Sequence, residues 1–141
     1  MKTVLFACVH NAGRSQMAAA WFNLLSNPAT ARAISAGTDP APQVHPEVVT
    51  AMREVGVDLS GAPTLQLTTE LAQHAQMLIT MGCGDQCPVV PGLIRDDWPL
   101  EDPKGKPLAR VREIRDEIRR RVETLIEHEG WHGSTERWSE G

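Results

Sequence analysis

Cys8 and Arg14 stand six positions apart in the run Cys8-Val9-His10-Asn11-Ala12-Gly13-Arg14-Ser15. A nucleophilic sulfur and a planar cation at that spacing can hold a tetrahedral oxyanion between them. The intervening residues can curl so that their backbone N–H groups point inward and form a nest for the anion. If a helix starts at the end of the curl, its N-terminus adds partial positive charge. Arg14 contributes a fork of donors able to take two oxygens together, and Gly13 eases the tight turn. The same surroundings favour Cys8 as a thiolate, the form that attacks electrophiles. Ser15 is placed to donate a hydrogen bond to that sulfur, and Asn11 to brace the loop. The expected anion-binding set is Val9, His10, Asn11, Ala12, Gly13, Arg14 and Ser15. His10 has the chemistry of a general base, but a thiolate already stabilised by the nest does not need one.

Two more sulfurs lie in Gly82-Cys83-Gly84-Asp85-Gln86-Cys87-Pro88, giving three cysteines in all. Permanent bridges are rare outside oxidising compartments, so a structural framework is a poor account of them. The plain alternative is three buried, inert thiols. Zinc would require two further ligands, and no Cys/His pair has suitable spacing, so no resident metal is expected. A third stretch, residues 96–105, is acidic and turn-prone, with Asp96, Asp97 and Asp102 as possible proton donors. Expelling an oxygen from an oxyanion is slow unless that oxygen is protonated, so a general acid is required somewhere.

The elements that would position these residues follow from periodicity. Residues 4–7 are a continuous apolar run, suited to a strand buried on both faces and ending at Cys8. Met17, Ala18, Trp21, Leu24 and Leu25 recur at helical spacing until Asn27-Pro28 stops them. A short strand is expected at 33–37, then a loop to Pro46, which suits the first turn of a helix. Val48, Met52 and Val55 give that helix its stripe, and Gly56 ends it. A brief helix over 69–74, capped by Thr68 or Thr69, precedes a strand at 76–81. Leu93 and Ile94 begin a weak fourth strand. The last helix carries Val111, Ile114, Ile118, Val122, Leu125 and Ile126 on one stripe. Its arginines, Arg115 among them, alternate with acids as on a solvated face. Residues 131–141 are expected to form a tail, with Trp131 and Trp138 able to dock on the body. Alternating strands and helices predict an α/β single domain with a parallel sheet covered on both faces. Cys8 and Cys83 both follow strands, so both should face the rim where such sheets bind ligands.

Bulk properties set limits. The 141 residues include 14 basic and 18 acidic side chains, a formal charge of −4, with 23% charged and 41% hydrophobic residues. One domain is the natural reading. No overall positive field attracts nucleic acid. No stretch approaches the roughly 18 apolar residues of a membrane span, and the apolar start is too short for a signal-peptide core. A cytoplasmic monomer, without nucleic-acid or membrane partners, is the expectation.

The anion loop resembles the phosphate-binding loop of the low-molecular-weight tyrosine phosphatase superfamily. The wider run from His10 to Ala18 is similar to its thioredoxin-coupled arsenate reductase branch. The resemblance extends from about Thr3 to the last helix and implies a domain over residues 1–130 with a four-stranded sheet in the order 2-1-3-4. It also implies that the general acid is Asp102, in an Asp102-Pro103 loop after the fourth strand with Trp98 and Gly105 as its surroundings. Met81-Gly82-Cys83 with Cys87-Pro88 is similar to the redox segment of that branch. It implies that Cys8, Cys83 and Cys87 relay electrons from thioredoxin to arsenate, with no bound cofactor and with phosphate or sulfate as competing oxyanions. Three departures stand out. The two distal cysteines are closer together than in the best-known members. Ala12 and Gly13 occupy a place where some relatives carry another cysteine. Ala19 replaces a glutamate that helps hold potassium in some relatives, so potassium stimulation is not implied. A phosphatase in which Cys83 and Cys87 are only protective is the alternative. A metalloid sensor binding through three thiols would leave Arg14 and Asp102 without a use.

Overall fold

Six consecutive buried residues follow Lys2 in β1 (Lys2–Cys8), the strand that runs through the middle of the molecule. The computed structural model describes residues 2–82 and 92–132 of the chain. After β1 come α1 (Arg14–Leu25), β2 (Ala31–Gly37), α2 (Pro46–Arg53) and α3 (Thr69–Gln73). Then follow β3 (Met77–Thr80), β4 (Ile94–Asp97) and the long α4 (Leu108–Glu129). The four strands are all parallel, in the order β2-β1-β3-β4. This is the single-domain α/β architecture expected, with the strand order that the resemblance implied.

Alternation along β1 divides the core. Val4, Phe6 and Cys8 face the larger cluster, which draws Met17, Trp21 and Phe22 from α1, Val48 and Met52 from α2, and Ile114 and Ile118 from α4. Leu5 and Ala7 face the smaller one with Leu67, Ala72 and Leu78, on the side where α3 lies. Helices therefore cover both faces, and burying both is what makes the inner strands continuously apolar. Register places Cys8 beside Gly37 and Thr80 beside Asp97, so the strands' carboxyl ends share one rim.

Local signals account for most boundaries. Pro46 begins α2, and the Thr68 hydroxyl accepts from the Leu71 N–H to cap α3. Gly130, at φ 75°, closes α4 in the left-handed region. Four expectations need correction. Leu24, counted on the buried stripe of α1, is 43% exposed, because the neighbouring Trp21, Phe22 and Leu25 fill the core face. Val55 lies beyond the end of α2, where the chain turns toward Gly56 at φ 85°. Arg115, assigned to a solvated face, is buried at the α2–α4 contact, where its Nη1 donates to the Ala51 carbonyl at 2.9 Å. Asp96 and Asp97 belong to the edge strand β4 rather than to a loop. Trp131 docks as expected, its ring 5.9 Å from that of Phe22. Trp138 lies outside the described residues.

Candidate active site

The loop from Val9 to Gly13 is held open from the outside. The Val9 carbonyl accepts from Asp39 N at 2.7 Å, that of His10 from Ala41 N at 2.9 Å, and that of Ala12 from His45 N at 3.0 Å. The Asn11 carbonyl accepts from Gln16 Nε2 at 3.1 Å. A peptide plane whose C=O points outward turns the N–H of the next residue inward, so the N–H groups of residues 10–13 face the hollow of the curl. Gly37 lets β2 approach this loop. A Cβ there would meet the Val9 carbonyl oxygen at 2.5 Å and Asn11 N at 2.8 Å.

The residue that makes the turn is not the one expected. Gly13 has φ −144°, whereas Asn11 adopts φ 50°, the left-handed region. Asparagine tolerates it because its side chain can bond locally. Its Nδ2 donates to Ser15 Oγ at 2.8 Å, and its Oδ1 accepts from Leu65 N at 2.9 Å. Gly13 is needed for another reason: a Cβ there would come within 2.9 Å of Pro103 Cγ.

Cys8 Sγ lies 2.9 Å from Ser15 Oγ. Since Asn11 already donates to that oxygen, the serine's own proton is free to point at the sulfur, an arrangement that suits a thiolate. α1 begins at Arg14, directly after the curl, with no acidic residue in its first turn to offset its positive end. The Arg14 side chain is only 10% exposed. Its Nη1 donates to the Leu100 carbonyl at 3.0 Å, and its guanidinium rests against Gly82, where a Cβ would sit 2.6 Å from Nη1. Arg14 thus ties the anion loop to the segments that follow β3 and β4.

Trp98 pins the chain as it leaves β4. Its N–H donates to the Thr80 carbonyl at 2.8 Å, and its ring lies 5.6 Å from Phe6. The segment then returns over the loop, bringing Asp102 Oδ2 to 3.9 Å from Arg14 Nη2, with the carboxyl 45% exposed. Asp102 Oδ1 accepts from Lys104 N at 3.0 Å, which closes the turn around Pro103.

The described residues therefore bring together Cys8, the loop from Val9 to Ser15, and Asp102. Asp96 and Asp97 are engaged elsewhere: Asp96 accepts from the Trp98 indole at 3.3 Å, and Asp97 from the Thr80 hydroxyl at 2.7 Å. His10 turns its Nδ1 toward the Asp39 carbonyl, 3.0 Å away, rather than toward Cys8. Cys83 and Cys87 lie outside the described residues. Among the described residues no three His, Cys, Asp or Glu side chains gather in a way that could hold a metal ion. None of their helices is long and apolar enough to cross a membrane.

Sequence reasoning foresaw the start of α2 but not its place beside the loop. A Cβ on Gly13 would meet His45 Cδ2 at 3.6 Å, so this imidazole borders the loop. Burial holds it below the ordinary histidine value, against the opposing pull of the Glu47 and Asp102 carboxylates. Glu47 Oε1 accepts from Gly105 N at 3.1 Å, across 58 positions of chain. Proline at the first helical position announced the element, but nothing in the pattern connected it to the Asp102 turn.

A family model described as low molecular weight phosphotyrosine protein phosphatase matches residues 3–130. A glutaredoxin arsenate reductase of Synechocystis is 37% identical over 129 residues, covering 89% of this chain and 97% of that protein. An arsenate reductase of Staphylococcus aureus is 32% identical over 129 residues, covering 88% and 95%. A thioredoxin-dependent arsenate reductase of Corynebacterium glutamicum superposes with a TM-score of 0.78 at 40% identity, covering 91% of this chain. The chain spans 61% of that longer one, less than two thirds of it.

Proposed function

The chain belongs to the low molecular weight phosphotyrosine protein phosphatase family, and from that membership we propose that it reduces arsenate to arsenite with electrons supplied by thioredoxin. The observation that carries this reading is the cradle at the end of β1, where Ser15 Oγ stands 2.9 Å from Cys8 Sγ. The names of its relatives favour arsenate over a phosphate ester as the reacting anion.

In this mechanism the backbone N–H groups of residues 9–15 and the Arg14 guanidinium bind arsenate. The Cys8 thiolate attacks arsenic, an arsenic–oxygen bond breaks, and Asp102 protonates the departing oxygen, which leaves as water. Arsenic is still pentavalent at this point. The Cys83 thiolate then attacks the Cys8 sulfur. The sulfur–arsenic bond breaks, its electron pair stays on arsenic, and arsenite leaves as a Cys8–Cys83 disulfide forms. Cys87 attacks Cys83, freeing Cys8 and moving the disulfide to Cys83–Cys87. The thioredoxin dithiol reduces that bond and carries the oxidation away. No cofactor stays bound, and phosphate or sulfate competes for the cradle. The protein works as a cytoplasmic monomer, its catalytic domain being residues 1–130 and its tail 131–141.

The test is steady-state NADPH consumption with arsenate, thioredoxin and thioredoxin reductase, comparing the wild type with Cys87→Ser. Turnover in the wild type and its loss in the variant are expected. A parallel assay with glutaredoxin and glutathione discriminates the donor. No turnover with either donor, beside brisk hydrolysis of p-nitrophenyl phosphate, would make the protein a phosphatase.

A further inference from the structure

The turn carrying Asp102 is anchored on two sides of its tip. On one side Pro103 packs on Gly13, at a distance no side chain there would allow. On the other, Gly105, held at φ 72°, donates its N–H to Glu47 Oε1 at 3.1 Å. Glu47 is the second residue of α2, and the residue before that helix, His45, donates its N–H to the Ala12 carbonyl at 3.0 Å. One helix start therefore grips both the cradle and the turn that hangs over it. The Asp102 carboxyl is 45% exposed, and its link to Arg14 is a long 3.9 Å. Its one short bond among the described residues, accepted from Lys104 N at 3.0 Å, lies within the turn itself, so its place beside the cradle depends on how the turn is fastened. Protonating a leaving oxygen demands that kind of placement, since an ångström of drift can lower a rate by about a hundredfold.

We propose that Glu47 is a positioning residue for the general acid, latching the Asp102 turn to the helix that supports the cradle. The inference rests on the reading of Asp102 given above. Glu47 bonds the turn at Gly105 rather than the anion loop, so its removal should slow chemistry without weakening binding.

The experiment compares Glu47→Ala, Glu47→Gln, Asp102→Asn and the double variant Glu47→Ala/Asp102→Asn by kcat/KM for arsenate with the donor in excess. Phosphate affinity is read from protection of Cys8 against alkylation, followed by mass spectrometry. Exchange of the Gly105 amide, followed by NMR, reports the latch itself. Glu47→Ala should lower kcat/KM by about tenfold, within the range a displaced proton donor allows. Its phosphate affinity should stay within about twofold of the wild type, a ratio worth well under 1.4 kcal/mol. Gly105 exchange should quicken in Glu47→Ala. Glu47→Gln, which keeps the acceptor oxygen, should restore both rate and protection. With Asp102→Asn already present, Glu47→Ala should have no further effect.

Wild-type kcat/KM in Glu47→Ala would overturn the proposal, as would a loss that persists undiminished beside Asp102→Asn. A loss that lies in phosphate affinity would also overturn it, making Glu47 part of the binding apparatus. If Asp102→Asn alone turns over arsenate like the wild type, the assignment of Asp102 fails, and the role of Glu47 falls with it.

Discussion

Arg14 works through residues that leave it room as much as through its own donors. Gly82 sits at φ 97°, and the Arg14 guanidinium occupies the space a side chain there would need. Gly82→Ala therefore faces both a left-handed backbone that disfavours alanine by about 1–2 kcal/mol and a collision with Nη1. The variant should fold less stably and lose about tenfold in phosphate affinity, since displacing the fork by 1.4 kcal/mol is enough for that. Isothermal titration with phosphate checks it, and unchanged affinity would mean that Arg14 has another position open to it. At this scale the sequence was informative where chemistry and spacing coincide. Cys8, Arg14 and Ser15 could be placed from their types alone, and Asp102 through a family likeness. Gly13 was recognised for the wrong reason, because the strain of the curl falls on Asn11 while Gly13 clears a path for Pro103. Contacts between distant segments, such as Arg14 with the Leu100 carbonyl or Glu47 with Gly105, leave no periodic trace and were not visible.

At the scale of elements, the α2–α4 contact carries the strongest electrostatic signature. Glu54, at the end of α2, accepts from Arg112 Nη2 at 2.6 Å and from Arg115 Nη1 at 3.0 Å. The hydrogen bond from Arg112, followed by that from Arg115, pulls its carboxyl from an ordinary 4.5 down to about 2. A carboxyl whose folded value is depressed stabilises the fold fully above its unfolded value and loses that contribution as pH falls through its folded one. The wild type should therefore lose stability between about pH 4.5 and about pH 2 through this group. Glu54→Gln should be less stable at neutral pH and show a shallower decline across that window. Urea midpoints at intervals of pH measure the two slopes, and parallel slopes would rule out the linkage. The helices themselves were legible, since an apolar stripe with proline at the start or glycine at the stop is a local signal. Arg115 shows the limit of that signal. Its neighbours in sequence alternate in sign as on an open surface, yet its guanidinium reaches the Ala51 carbonyl on another helix.

For the molecule as a whole, alternation of apolar runs and amphipathic stretches was enough to foresee a parallel sheet with both faces covered, and a shared rim for its loops. It did not show where the end of α4 is secured. Trp131 is 8% exposed, donates its backbone N–H to the Ile126 carbonyl and accepts from Asn27 N, both at 2.9 Å. With its ring against Phe22, it fastens the end of α4 to the end of α1. Trp131→Ala should destabilise the protein by about 3 kcal/mol, the scale of a large aromatic truncation. Thermal unfolding reads that loss, and kcat/KM at low temperature should hardly change because the rim lies at the other end of the strands. Gly37 ties the sheet to the chemistry more tightly still. It pairs with Cys8, and its missing side chain is what lets Val9 and Asn11 lie where they do. A slip of one position along β2 would bring Ala36 or Thr38 against them instead. A ribosome that has released residues 8–15 has thus delivered every atom of the cradle and its inner bonds to Ser15, but none of the neighbours that hold it open from outside. That outer grip follows only when Gly37 has paired with Cys8 and the backbone N–H groups of Asp39, Ala41, His45 and Leu65 have come to donate to the loop. The curl is held open only once the second strand and the segments after it are in place.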